Sequence, residues 1–171
     1  FWVWLGCLQT FRADLIHLAS AKPLPRNYFP GHKQLSHDKW TCLLANALGG
    51  IKVLGEPVAL YRRHSTALTG DYGQQTSTER VSKALGVGSS QYDFLADVAK
   101  ETSVYLRELA TFADEKVGIA LLRAARGFDT IAAIQSRRSA LYSATTFRAR
   151  LICLADIAVK GGYIGPSFIA L

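Results

Sequence analysis

The sequence predicts a mixed α/β segment over residues 1–70 and a helical region over residues 71–171. Short apolar runs bounded by glycine or proline are confined to the first 70 residues and are typical of buried strands. Apolar residues at helical spacing dominate the rest of the chain. The 171 residues are 49% hydrophobic and 19% charged, which is enough apolar material for a core and excludes a wholly disordered chain.

The first 70 residues predict strands at residues 1–5, 51–54 and 58–61. A short helix is expected over residues 11–20, and a loop follows it, because residues 23–30 contain three prolines. Ser36 is a candidate N-cap for a second helix that ends at Gly49. The apolar face of this helix is formed by Trp40, Leu43, Leu44, Ala47 and Leu48.

The remainder of the chain predicts a polar linker over residues 66–75 and then helices without a convincing strand. Thr76 and Glu79 can form a capping box, and a long helix is expected over about residues 91–112. A further helix should stop at Gly127, after which helical spacing resumes toward Arg137 and Arg138. The last helix should end at the glycine pair 161–162.

The net charge of +7 is concentrated in the first segment. Residues 1–70 hold eight basic and three acidic side chains, together with all four histidines. Such a surface attracts phosphates in nucleotides, nucleic acids or anionic lipids. Because no run of Lys and Arg exceeds two residues, nucleic-acid binding is not expected.

The three cysteines, Cys7, Cys42 and Cys153, are far apart and lie in apolar sequence. This pattern argues against a disulfide framework or a zinc cluster and favours a reducing compartment. No run approaches the ~18 apolar residues of a membrane span.

Three groups of residues could carry chemistry. Asp38 lies in the first turn of a helix, where the dipole favours its charged form, and it could accept a proton or simply decorate the helix start. Arg62, Arg63 and His64 end a predicted strand and could bind a diphosphate or, through the histidine, a metal; the alternative is a solvated basic patch. The pairs Arg137/Arg138 and Arg148/Arg150 could be a solvated face or a contact with anionic lipid, and we favour the solvated face.

Five short motifs occur in an order that resembles the second half of a bacterial family 2 glycosyltransferase of the rhamnosyltransferase-like kind. In chain order they are Gly6-Cys7 with Phe11-Arg12, His37-Asp38-Lys39-Trp40, Gly49-Gly50, Glu56-Pro57 and Tyr61-Arg62-Arg63-His64. The resemblance covers roughly residues 1–70. Lys39 and Ala67 depart from it, since the family often has Trp and Asn at these places.

The resemblance implies the C-terminal half of a nucleotide-diphospho-sugar transferase (GT-A type) fold followed by a helical tail. The family's nucleotide-binding half and its Asp-x-Asp motif are not in this sequence, so we expect no sugar transfer by this chain alone. Asp38 matches the family's catalytic base, which acts with inversion. His64 matches a residue near the divalent cation (Mg or Mn), and Arg62 and Arg63 would bind the donor diphosphate. The acceptor-binding residues would be Gly6, Cys7, His37 and Trp40, although Trp40 is better placed to anchor its helix in the core.

The implied substrates are a nucleotide-diphospho-sugar donor and a saccharide or lipid-linked acceptor in polysaccharide or lipopolysaccharide synthesis. The protein would be cytoplasmic, with peripheral contact to an anionic membrane surface at the inner face of the cell membrane, and could form a homodimer. Two other interpretations stay open. One is a non-enzymatic basic module that binds a phosphorylated or membrane-surface partner, and the other is a truncated product without a function of its own.

Overall fold

The computed structural model describes residues 9–28, 31, 33–52, 56 and 87–162. These residues form five helices, which we number in chain order. They are α1 (Ala13–Ala19), α2 (His37–Leu48), α3 (Ser89–Ala110), α4 (Glu115–Ser143) and α5 (Phe147–Val159). The predicted helices over residues 11–20, 36–49 and 91–112 and the last helix are confirmed, with ends displaced by up to two residues.

The predicted α/β fold is wrong for the described residues, which form an all-helical structure. Their one element of extended pairing is an isolated antiparallel bridge between Arg26 and Gln34. Ile51 and Lys52, the described part of one predicted strand, are exposed and are not in a strand. A short apolar run needs a neighbouring strand to pair with, and periodicity cannot supply that information. The predicted strands at residues 1–5 and 58–61, and the capping box at Thr76, lie outside the described residues.

The centre of the fold is the antiparallel hairpin of α3 and α4. Their facing sides bury Leu106 and Leu109 of α3 against Leu121, Ala125 and Phe128 of α4. A tight turn joins the two helices, and the Asp114 carboxylate caps α4 by accepting from the Val117 N–H (2.9 Å). Two long amphipathic helices in sequence thus bury their apolar stripes against each other.

Helix α4 runs through Gly127, where the sequence predicted an end. The apolar stripe keeps its helical register on both sides, from Leu121 through Phe128 to Ile131. Packing of this stripe against α3 outweighs the roughly 1 kcal/mol that one interior glycine costs a helix.

Helices α1 and α2 pack on the hairpin through Trp40. The indole Nε1 donates to the Ala19 carbonyl at the end of α1 (3.2 Å), and the ring meets Tyr105 of α3 edge-on at 5.1 Å between centroids. The loop between α1 and α2 is also tied to α3, because the Tyr105 hydroxyl donates to the Pro23 carbonyl (2.8 Å) and Arg26 pairs with Glu101 (2.9 Å). The described residues on either side of residue 70 therefore share one core.

Helix α5 folds back onto α4 and buries Cys153 and Ile157. Asp156 of α5 pairs with Arg137 of α4 at 2.6 Å. As predicted, the glycine pair ends this helix, with Gly161 at a φ of 74°. None of the helices in the described part of the chain is long and apolar enough to cross a membrane.

Candidate functional site

The start of α2 holds the aspartate that the sequence indicated as a base. Asp38 is the second residue of the helix and follows the extended N-cap residue Ser36. The Lys39 backbone N–H donates to Oδ1 of Asp38 (2.9 Å), and the nearby Ser36 hydroxyl favours the charged form of the same carboxylate and lowers its pKa. These interactions orient the carboxylate where free N–H groups and the helix dipole favour a negative charge.

The pKa of Asp38 reflects two opposing effects. Partial burial raises it, but the hydrogen bonds from Ser36 and Lys39 and the nearby His37 outweigh the burial and leave the pKa below its usual range. Asp38 is therefore ionised at neutral pH and is able to accept a proton.

Two groups that feel the Asp38 charge stay neutral. Partial burial raises the pKa of the Tyr28 hydroxyl and of the Cys42 thiol, and the negative charge on Asp38 raises both further. At neutral pH Tyr28 is a phenol and Cys42 a thiol. A neutral thiol is a poor nucleophile, which agrees with the interpretation of Cys42 as a packing residue.

Lys39 adds a cation to this group. Its Nζ lies 5.4 Å from the centroid of the Tyr28 ring, within the range of a cation–π contact. Partial burial lowers the pKa of Lys39, while the Asp38 charge acts in the opposite direction. We call Tyr28, Asp38, Lys39 and Cys42 the Asp38 cluster.

The proline-containing loop before α2 positions Tyr28 in this cluster. The Leu35 N–H donates to the Pro25 carbonyl (2.8 Å), and the buried Asn27 side chain donates to the Gln34 carbonyl (3.0 Å). These bonds close the loop next to the first turn of α2. Neither Tyr28 nor the role of Lys39 was predicted from the sequence, although an aromatic residue in a proline-containing loop just before the helix was a usable signal.

Two of the predicted acceptor-binding residues, His37 and Trp40, lie among the described residues, and they differ in exposure to solvent. His37 is exposed next to Asp38. Trp40 is only 1% exposed and is enclosed by α1 and α3, so its place in the structure is that of a core anchor and not of a cleft wall. Anchoring Trp40 fixes the first turn of α2, and with it the position of the Asp38 backbone.

The remaining predicted site residues lie outside the described residues. They are Gly6, Cys7, Arg62, Arg63 and His64. The structure therefore brings Asp38 together with Tyr28, Lys39 and Cys42, and the predicted diphosphate-binding and metal-binding residues stay predictions. Among the residues that are described, no three His, Cys, Asp or Glu side chains are grouped so as to hold a metal ion.

A cavity of about 950 Å³ lies beside α2, between α1, the C-terminal half of α2 and the turn that joins α3 to α4. Cys42, which lies one helical turn after Asp38, lines this cavity and also belongs to the Asp38 cluster. Asp38, His37 and Trp40 do not line it. The cavity and the carboxylate are thus on neighbouring sides of one helix.

Comparison with known proteins gives no family: no family model, curated protein or solved structure matches this chain.

Proposed function

We propose that this chain carries the acceptor side of an inverting sugar transferase in which Asp38 is the general base. The observation that supports this most is the placement of the Asp38 carboxylate in the first turn of α2, where the Lys39 backbone N–H donates to its Oδ1 (2.9 Å) and orients it. The hydrogen bonds to the carboxylate also keep the pKa of Asp38 below its usual range, so the group is ionised at neutral pH. A group in this state can take a proton from a hydroxyl.

The ordered motifs provide the second support. A single aspartate in the first turn of a helix is common and by itself indicates nothing beyond helix stabilisation. Here it lies within the His37-Asp38-Lys39-Trp40 motif, and four further short motifs precede and follow it in the order typical of family 2 glycosyltransferases.

In the proposed reaction, an acceptor hydroxyl lies against the Asp38 carboxylate and gives up its proton to it. The acceptor oxygen then forms a bond to the anomeric carbon of the donor sugar. The bond between that carbon and the diphosphate oxygen breaks, and the nucleoside diphosphate leaves with the electron pair. Attack from the face opposite the leaving group inverts the configuration.

Two features of the described structure suit this role. The Lys39 N–H fixes Oδ1 of Asp38 (2.9 Å), so the carboxylate does not have to be reoriented when the acceptor binds. The buried Trp40 fixes the position of α2, the helix that carries Asp38. Arg62 and Arg63 are proposed to neutralise the departing diphosphate, and His64 to approach it with a divalent cation.

The test is sugar transfer by the intact protein that carries this chain, measured as release of nucleoside diphosphate. Asp38→Asn keeps the shape of the side chain and removes its basicity, so we expect a loss of ~10²–10⁴-fold in rate. Asp14→Asn is the matched control, because Asp14 also lies in the first turn of a helix but is mostly exposed and pairs with Arg12. It should stay within a few-fold of the wild-type rate.

Circular dichroism of both variants should match that of the wild-type protein, since neither substitution touches the core. A folded Asp38→Asn variant that transfers sugar within a few-fold of the wild-type rate would refute the assignment of Asp38 as the base.

A further inference from the structure

The outward side of α5 is apolar, contrary to the usual arrangement of a helix at the surface of a domain. Phe147 is 76% exposed, Ile152 59% and Val159 86%. Leu151 and Leu154 are also exposed on this helix, whereas its inward side buries only Cys153 and Ile157. Exposed apolar patches of this kind mark a surface that contacts another apolar phase. We call these five residues the α5 face.

The charges around the α5 face are predominantly positive. Asp156, the single acidic residue of the helix, forms ion pairs with two cations, Arg137 at 2.6 Å and Lys160 at 2.7 Å. Arg148 and Arg150 are both exposed on the same helix. The helix therefore presents apolar side chains together with an excess of cations.

We propose that α5 lies flat in the headgroup region of an anionic lipid bilayer, with the α5 face inserted. On such a surface the burial of the exposed apolar side chains and the attraction of Arg148, which lies between Leu151 and Ile152 on the exposed side of the helix, to anionic headgroups would add together. With 13 residues, α5 is about 20 Å long. It is thus too short to span the roughly 30 Å hydrocarbon core, but long enough to lie along its surface.

The charge argues for lipid over a second copy of the chain. A symmetric dimer through the α5 face would bring Arg148 of both copies to one interface, and like charges in contact are unfavourable. An anionic membrane complements the same charges. The proposal does not depend on the role of Asp38.

The experiment is flotation of the full chain with lipid vesicles in a density gradient, because floating vesicles separate bound protein from aggregates. Vesicles of three parts phosphatidylcholine to one part phosphatidylglycerol are compared with pure phosphatidylcholine, at low and at high salt. We expect binding to the anionic vesicles that weakens as salt is raised.

Three variants identify the surface. Ile152→Glu should lower the partition coefficient by about tenfold or more, because it replaces an inserted side chain by a charge. Arg148→Gln should lower it by about fivefold, the contribution of one cation near an anionic surface. Ile119→Glu on α4 is the matched control: Ile119 is also half exposed and should leave binding unchanged. All three positions are exposed, so the fold should survive, and circular dichroism checks this.

Several outcomes would overturn the proposal. One is a wild-type chain that does not float with the anionic vesicles; another is an Ile152→Glu variant that floats as well as the wild type. A wild-type dimer by light scattering that Ile152→Glu converts to a monomer would assign the face to a second copy. Flotation that appears only after removal of residues 163–171 would assign it to the chain's own C-terminal residues.

Discussion

The proposed chemistry depends on Asp38. Neighbouring donor groups keep its carboxylate ionised, and a single substitution can remove one of these donors. Its pKa lies below the usual range of an aspartate in spite of partial burial, which raises it, because Ser36 and the Lys39 N–H donate to the carboxylate. A group with a folded-state pKa below its unfolded value contributes stability above the unfolded pKa. That contribution is lost as the pH falls through the folded pKa.

Ser36 offers a test of this balance. Ser36→Ala removes the hydroxyl that donates to Asp38, so the pKa of Asp38 should rise. The acid limb of the pH–rate profile for sugar transfer should then move to higher pH, while the rate on the plateau changes little. Ser36 makes no side-chain cap bond to the helix backbone, so the loss of stability at neutral pH should be limited to what the lowered pKa of Asp38 contributes. An acid limb at the wild-type position would show that the Ser36 bond does not control Asp38.

At the scale of the elements, two glycines have different structural roles: one lies inside a helix and the other lies just after the end of a helix. Gly127 lies inside α4 with open space around its Cα, and the helix continues through it. Gly162 follows α5, where an added Cβ would lie 2.5 Å from Cγ2 of Ile157 and 3.2 Å from Cγ2 of Ile134. The sequence predicted a stop at both positions, and packing decided that only the second is one.

The same substitution at these glycines should therefore have opposite effects on stability. Gly127→Ala should raise the free energy of unfolding by about 0.5–1 kcal/mol, because alanine loses less backbone entropy in a helix. Gly162→Ala should lower it by roughly 1–3 kcal/mol, because the new methyl group overpacks against Ile157. Urea denaturation of the two variants measures both. Destabilisation by Gly127→Ala would mean that this surface of α4 is covered.

At the scale of the whole molecule, Trp40 joins the α1–α2 segment to the α3–α4 hairpin. It is buried between them, donates to Ala19 and packs edge-on against Tyr105. The position of the Asp38 cluster therefore depends on a contact between residues more than 60 positions apart in the sequence.

Trp40→Ala tests whether these parts unfold together. We expect a loss of about 3–5 kcal/mol in the free energy of unfolding, the usual cost of removing a buried aromatic side chain, with one cooperative transition. Phe112→Ala is the control, because Phe112 is a large aromatic residue that is mostly exposed, and it should change stability by about 0.5 kcal/mol or less. Two separate transitions in the wild-type protein would contradict a shared core.

The sequence by itself predicted four of the five described helices and several of their ends, because an apolar stripe at helical spacing and a capping or stopping residue are local signals; the fifth, α4, was predicted with a false end at Gly127. The position of Asp38 in the first turn of α2 was also predicted from the sequence. The α/β class could not be decided locally, since a strand is defined by a partner elsewhere in the chain. The core position of Trp40 was predicted from the apolar face of its helix and is confirmed. Tertiary structure alone decided that Tyr28 lies by the Asp38 charge and that the apolar side of α5 faces outward. These two properties depend on which surfaces meet, and sequence spacing does not contain that information.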